Sequence, residues 1–291
     1  MPELAVCIVN YNTRDLLIEC LEHLWVVEPS PPTVMVLDNG STDGSAARLR
    51  ERFPEVRLIV SETNLGFAGG VNRLLEASSA DYALLLNTDA RPRSGAIALL
   101  QDYLATHPRV AAVGPQLVDR DGKPIGCHDT FPTFTRELMA LAGRHRVPVH
   151  EQARSDVDWI GGASMMLATR AVRDVGLLDD SFFMYYEETD WCHRARQRGW
   201  QIACLPAARV THFVGGSGGV QRRAQLSRSR IRFQRRYGSP ASAYALALTL
   251  YAWYRLAWLI WALRTGRRAE RPRSYALASG VARLALKELP Q

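Results

Sequence analysis

The 291-residue chain is predicted to be an α/β protein: a mostly parallel sheet flanked by helices, followed by a helical tail. Three observations carry this. Short apolar runs rich in β-branched residues alternate with segments of helical periodicity over the first 115 residues. At 47% hydrophobic and 22% charged, the composition is that of a globular protein able to bury a substantial core. The charge is also split along the chain: residues 1–219 hold 21 Arg and Lys against 27 Asp and Glu, and residues 220–291 hold 15 against 2. That split divides the chain into an expected main domain of residues 1–219 and a basic, aromatic-rich tail of residues 220–291.

Taken in order, Leu4–Val9 is an apolar strand-like run. Thr13 is placed to cap a helix in which Leu16, Leu17, Cys20, Leu21 and Leu24 recur at helical spacing. Val34–Leu37 is a second strand, and Asp38 to Ser45 a turn into a helix ending near Phe53. Val56–Val60 is a third strand, Phe67–Ala77 a helix, Ala83–Leu86 a fourth strand, Ala96–Leu104 a helix and Val110–Val113 a fifth strand. Strands separated by helices of this length imply right-handed crossovers and parallel pairing. Residues 116–157 scatter Gly, Pro, Asp and His and read as a long loop or subdomain over the sheet. Order resumes at Trp159–Leu167, and residues 215–219, Gly-Gly-Ser-Gly-Gly, read as a hinge.

Five cysteines, Cys7, Cys20, Cys127, Cys192 and Cys204, form an odd set without a Cys-x-x-Cys pair. This argues against a disulfide framework or a structural zinc site and for a reducing compartment. The N-terminus runs directly into a strand-like segment without a basic leader, so no signal peptide is expected. In the tail, Ala241–Tyr254 carries no charge and Arg255 interrupts the apolar stretch before Leu256–Leu263. Tyr244, Tyr251, Trp253, Tyr254, Trp258 and Trp261 suit a membrane interface, and Arg222–Arg236 and Arg264–Arg273 flank them with positive charge. An interfacial anchor on an anionic membrane is expected, at the cytoplasmic inner face; the alternatives are a helical cap on the core or a homodimer contact. No nucleic-acid partner is expected, because the basic runs bracket an apolar segment.

Several short patterns carry chemistry. Asp89 ends the run Tyr82 to Leu86 plus Asn87-Thr88, and His212 ends Ala208-Arg-Val-Thr-His212. In open α/β sheets ligands bind beyond the carboxyl ends of strands, where a carboxylate and an imidazole can together hold a divalent cation on a diphosphate. Asp38-Asn-Gly-Ser-Thr-Asp43 follows a strand; Asp38 either accepts a hydrogen bond from a pyrimidine N3–H or makes an Asx turn and helix cap. Asn64 to Asn72 sets three glycines at a helix start, for anion approach or for tight helix packing. Glu187-Glu188-Thr-Asp190 places three carboxylates among apolar residues, as general-base candidates or as acids favouring a helix N-terminus. Neither a dinucleotide-type glycine fingerprint nor a P-loop occurs in the chain.

The ordered set Val9-Asn-Tyr-Asn12, Asp38 to Ser45, Asn64 to Asn72, Asn87-Thr-Asp89, Trp159-Ile-Gly-Gly-Ala163, Tyr186 to Cys192 and Ala208 to His212 resembles the family 2 glycosyltransferases, especially the rhamnosyltransferase-like branch. The resemblance spans roughly residues 4–217. It implies a GT-A-type, Rossmann-like sheet, with residues 1–219 as the nucleotide-sugar-binding and catalytic domain. It also implies an inverting transfer from a nucleotide-diphosphate sugar, with rhamnose from dTDP-rhamnose expected, onto a lipid-linked or polysaccharide acceptor. By position, Tyr11 and Asp38 would hold the base with Asn12 close by, and Asn64 and the turn from Gly66 to Asn72 would border the nucleotide. Asp89, the last acid of the family's Asp-x-Asp motif, would bind Mg2+ or Mn2+ with His212. Asn87 replaces that motif's first acid and would stay beside the donor. Glu188 falls at the position of the general base, where Asp is commoner, which leaves Asp190 as its competitor. A sugar nucleotidyltransferase would want a Gly-rich, cationic loop after the first strand, where this chain has Asn10-Tyr-Asn-Thr. A non-catalytic membrane scaffold is the remaining alternative.

Overall fold

In a computed structural model of the chain, residues 2–28, 32–126, 128–144, 154, 156–213, 221–265 and 270–288 are described. The glycine run at 215–219 and Cys127 lie outside them. The chain divides into two compact units. The first comprises residues 1–131, 147–183 and 187–216; the second comprises residues 132–146, 184–186 and 217–291.

The first unit is built on one sheet. Strand β1 (Leu4–Asn10) pairs in parallel with β2 (Thr33–Asn39) and β4 (Tyr82–Leu86), and β2 pairs in parallel with β3 (Arg57–Ser61). Connecting them are helices α1 (Arg14–Val27), α2 (Ser45–Arg52) and α3 (Gly66–Glu76). After β4 come β5 (Ala90–Pro92), α4 (Ala96–Thr106) and β6 (Val110–Val118), the last longer than the run Val110–Val113 suggests. A short pair, β7 (His128–Asp129) with β8 (Trp159–Ile160), precedes β9 (Ser164–Ala168), α6 (Thr169–Val175), α7 (Glu187–Gln197) and β10 (Gln201–His212); α5 belongs to the second unit. The strand order is β3-β2-β1-β4-β9-β6-β10-β5. β9 runs antiparallel between β4 and β6, β10 is parallel to β6, and β5 is an antiparallel edge on β10.

This layout follows from burial. All five residues of β4, all five of β9 and all nine of β6 are buried, the pattern of strands covered on both faces. Leu17, Cys20, Leu21 and Leu24 are the buried stripe of α1, as their spacing predicts. Thr13 does not cap this helix: its hydroxyl donates to Asn10 Oδ1 at 2.8 Å, so the side chain ties the helix start to the end of β1 instead. Cys7, Cys20, Cys192 and Cys204 are buried free thiols; burial pushes Cys7 and Cys192 up to about 12 and Cys20 to about 11.

The second unit is helical: α5 (Phe134–Leu141), α8 (Gln221–Tyr237), α9 (Pro240–Thr265) and α10 (Glu270–Glu288). Thr133 caps α5, accepting from Arg136 N. Ile231, Ala243, Leu246, Ala247, Leu250, Tyr254, Ala278 and Ala282 form its core. Small residues at the α9–α10 seam let the two helices approach closely. Segment 184–186 is bound into this unit. Ser229 Oγ donates to Met184 O at 2.9 Å, and the Tyr186 hydroxyl donates to the buried Glu137 carboxylate, which also pairs with Arg230 at 3.1 Å. Burial and then the Glu137 charge push the Tyr186 hydroxyl well above its usual range.

Candidate active site

The carboxyl ends of β1, β2 and β4 lie side by side, with Asn10 opposite Asp38 in the strand register. Asp38 is buried, and its Oδ1 accepts from Asn10 Nδ2 at 2.9 Å; the same amide also reaches Ser41 Oγ at 3.1 Å. The Asx turn in this segment belongs to Asp43, whose Oδ1 accepts from Ser45 N at 3.0 Å, so Asp38 is not used as the turn residue. Asn12 adopts a left-handed φ of 51° and crosses to the same loop, accepting from Thr42 N at 2.8 Å. Tyr11 between them is exposed. An exposed ring beside a buried, strand-end carboxylate is the arrangement a planar base with an N–H can use.

The Asn64–Asn72 segment is fixed by packing. Asn39, buried at the end of β2, donates through Nδ2 to Asn64 Oδ1 (3.1 Å) and Gly66 O (2.9 Å) and accepts from Leu65 N at 2.9 Å. Asn64 Oδ1 also accepts from Gly66 N at 2.9 Å. Gly66 has φ 76°, and a Cβ there would run into the Phe183 carbonyl, which accepts from Phe67 N at 2.6 Å. A Cβ on Gly70 would lie 2.8 Å from Val9 Cγ1, so this glycine lets α3 sit on the sheet. Asn72 is spent on one residue, donating to Leu178 O at 2.8 Å and accepting from Leu178 N at 3.0 Å.

Asp89 and His212, 123 positions apart in the sequence, meet because β5 pairs with β10: His212 stands opposite Ala90, and Phe213 N donates to Asp89 O at 2.9 Å. His212 Nε2 lies 3.3 Å from Asp89 Oδ1, with both side chains largely shielded. The turn carrying Asp89 is held from several sides. Asn87 N donates to Ala163 O and Ala90 N to Asn87 O, each at 3.0 Å. The buried Arg91 donates to Thr88 O at 2.7 Å and Ala90 O at 3.0 Å. Among the described residues no group of three or more His, Cys, Asp and Glu is gathered, so any cation at this pair would take its other ligands from a diphosphate and water.

The three carboxylates of α7 have different surroundings. Asp190 is fully buried and paired to Arg194 at 2.8 Å, whose other nitrogens donate to Val175 O and Leu177 O. It is part of the packing of α7. Glu187 is buried too; burial and then the adjacent Glu188 charge push its carboxyl well above the usual carboxylate range. Glu188 is partly exposed, with its Cβ and Cγ 3.8 Å from where a Cβ on Gly162 would stand, while Phe67 borders the same glycine at 3.5 Å. Glu188 is therefore the least buried of the three α7 carboxylates. The chain reaches α7 through left-handed residues Phe183 (57°), Tyr185 (67°) and Tyr186 (72°), unusual for bulky side chains.

Asn10, Asn39, Arg91 and Phe183 frame the site without having been singled out in the sequence. Asn10 and Asn39 stand at strand ends and could have been found from position. Arg91 and Phe183 act through contacts with residues distant in the chain, for which a single sequence carries no signal.

A parallel half-sheet with polar residues at its carboxyl ends, an acid–imidazole pair where β5 meets β10 and a partly exposed carboxylate on α7 are the features of a GT-A glycosyltransferase. The chain belongs to glycosyl transferase family 2, whose family model matches residues 5–154. It is 30% identical over 238 residues to an N-acetylglucosaminyl-diphospho-decaprenol L-rhamnosyltransferase of Mycobacterium tuberculosis, covering 74% of this chain and 78% of that one. It is 25% identical over 188 residues to the dTDP-rhamnosyl transferase RfbF of Shigella flexneri, covering 62% and 60%. Among solved structures, mannosyltransferase PcManGT from Pyrobaculum calidifontis in complex with GDP-Man and Mn2+ superposes with a TM-score of 0.57 at 16% identity, over 99% of this chain and 86% of that one. GalNAc-T7 with UDP, GalNAc and Mn2+ gives 0.60 at 14% identity, over 81% and 48%.

Proposed function

We propose that this glycosyltransferase is inverting and divalent-metal-dependent, and that it moves rhamnose from dTDP-rhamnose onto a lipid-linked or polysaccharide acceptor at the cytoplasmic face of an anionic membrane. The observation that carries the reading is the pairing of Asp89 with His212 at 3.3 Å, in the same unit as the partly exposed Glu188. One anionic oxygen and one imidazole nitrogen suit Mg2+ or Mn2+ bridging to a diphosphate. Such an ion, when bound, offsets the charge that develops on the departing diphosphate.

The protein's own residues do the rest. Asp38 would accept the N3–H of thymine with Tyr11 against the ring, orienting the donor. Glu188 would take the proton from the acceptor hydroxyl as its oxygen attacks the anomeric carbon. The sugar–phosphate bond breaks on the opposite face, its electron pair leaving on the diphosphate oxygen, so one displacement inverts the anomeric centre. General-base assistance of this kind contributes about 10²–10⁴-fold in rate. Asp190, held by Arg194, is not available for the step.

The tail supports the membrane reading. Helix α9 is long and apolar enough to cross a membrane by length and composition, yet it has two apolar faces. Ala243, Leu246, Ala247, Leu250 and Tyr254 are buried against the other helices, while Tyr244, Leu248, Leu256, Leu259 and Leu263 are exposed on the opposite side. A spanning helix would place Arg255 in the hydrocarbon at about 2.5–3.5 kcal/mol or more. A helix lying in the interface lets Arg255, stacked 5.0 Å over Trp258, stay at the headgroups.

Titration calorimetry of dTDP-rhamnose with Mn2+ and with EDTA tests the donor site. Asp89→Ala should abolish metal-dependent binding, and His212→Ala should weaken it by about tenfold, since a neutral ligand contributes less. If both variants bind as the unmodified protein does, the metal assignment is wrong.

A further inference from the structure

A cluster of cations beside the Asp89 turn is not used by the site as described. β6 and β10 run in parallel to Val118 and Thr211, and the chains continue side by side into the Asp119–Lys123 turn and into His212-Phe213. The Phe213 ring, whose backbone amide is bonded to Asp89 O, carries two guanidinium groups: Arg91 at 5.5 Å and Arg120 at 5.0 Å from its centroid. Arg91 is buried and committed to Thr88 O, Ala90 O, Leu16 O and Glu19. Arg120 is exposed. A third guanidinium, that of the exposed Arg93, reaches the same turn, with Nη2 3.2 Å from where a Cβ on Gly122 would stand. Neither Arg93 nor Arg120 has a carboxylate within ion-pair distance among the described residues. The Asp119 carboxylate in that turn is occupied by the backbone amides of Asp121 and Lys123 at 3.0 and 2.8 Å.

We propose that Arg120 and Arg93 form a phosphate-binding subsite that receives the diphosphate of a lipid-linked acceptor. The inference rests on the glycosyl-transfer reading given above and specifies its acceptor. Guanidinium groups are forked donors matched to phosphate oxygens, and stacking on an aromatic ring pre-orders one of them. Two unpaired cations converging on one turn repel each other until an anion joins them. The donor's own diphosphate is directed to Asp89 and His212, which leaves these cations free for a second anion. When the accepting hydroxyl is on a sugar carried by a diphospho-lipid, that second anion lies only one sugar ring from the reacting oxygen. It must therefore be met close to the Asp89 turn, where Arg120 stands.

Two measurements test this. Calorimetry with inorganic pyrophosphate in EDTA, which removes any metal-held route, should show binding by the unmodified protein. It should weaken by about tenfold in Arg120→Gln and further in Arg93→Gln/Arg120→Gln. Transfer is then compared on two acceptors bearing the same sugar, one linked to a diphospho-lipid and one to an uncharged alkyl chain. The double variant should lose at least tenfold of the preference, as kcat/KM, for the diphospho acceptor. Unchanged pyrophosphate binding in the double variant, or an unchanged preference, would overturn the proposal. So would a fall in dTDP-rhamnose affinity that accounts for the whole effect, since the cations would then belong to the donor. The pyrophosphate arm needs no turnover, so it decides for or against the subsite even if the protein transfers no sugar and the functional reading fails.

Discussion

Among single residues, the three acids of α7 show how environment assigns roles that spacing leaves open. Within four positions, Glu187 is buried with its carboxyl pushed up, Glu188 is partly exposed, and Asp190 is locked to Arg194. Glu188→Gln should therefore remove transfer by about 10²-fold or more while leaving donor affinity intact, because the amide keeps the shape and cannot accept the proton. Asp190→Asn should behave differently. It strands Arg194 in a largely buried place and should cost about 3 kcal/mol of stability, with activity per folded molecule retained. Transfer assays run beside thermal melts separate the two, and a stable but inactive Asp190→Asn protein would move the base to Asp190. In the sequence these acids are three neighbouring candidates. What distinguishes them is Arg194 four residues on, a pairing a helix makes visible only once α7 is known to begin at Glu187.

Among secondary-structure elements, most of the first unit was legible: four of the expected strands and four helices fall within a few residues of their predicted bounds. Periodicity reports one element and its buried face, and it reports nothing about which strand lies beside which. That is why β5, three residues long, went unseen, and why β9 could be recognised as ordered without its antiparallel place between β4 and β6. Asp38 and Asp89 were legible because they sit at or just beyond strand ends, which the pattern marks. The glycines of the Asn64–Asn72 segment were legible as glycines with two possible reasons, and the structure selects packing for Gly66 and Gly70. Gly66→Ala should accordingly cost more than a left-handed alanine alone, roughly 2–3 kcal/mol, since its Cβ meets the Phe183 carbonyl. Gly95→Ala, with φ 75° and nothing within 4 Å, should cost only about 1 kcal/mol. Equal shifts of the two variants in denaturant melts would show that crowding at Phe183 contributes nothing.

For the whole molecule, the acidic balance of residues 1–219 and the basic balance of residues 220–291 give the chain two electrical characters. Anionic liposomes should recruit it through the basic tail, an attraction that weakens with salt, and through the exposed apolar face of α9, which salt spares. The variant Leu256→Ser/Leu259→Ser/Leu263→Ser leaves the buried face of α9 untouched. It should co-sediment at low salt and be released at high salt, where the unmodified protein stays bound; identical partitioning of the two at high salt would rule out insertion. The sheet order has a consequence for time as well as space. Among the described residues β5 pairs with no strand but β10, and His212 is the last residue of β10. A ribosome that has made Tyr11, Asp38, Asp89 and even Glu188 has therefore not yet made His212, the residue that meets Asp89 at 3.3 Å. The strand beside Asp89 can lean on α1, made before it, but has no strand to pair with until some 120 further residues have been added. A nascent or prematurely ended chain can align the ends of β1, β2 and β4 and still lack the acid–imidazole pair.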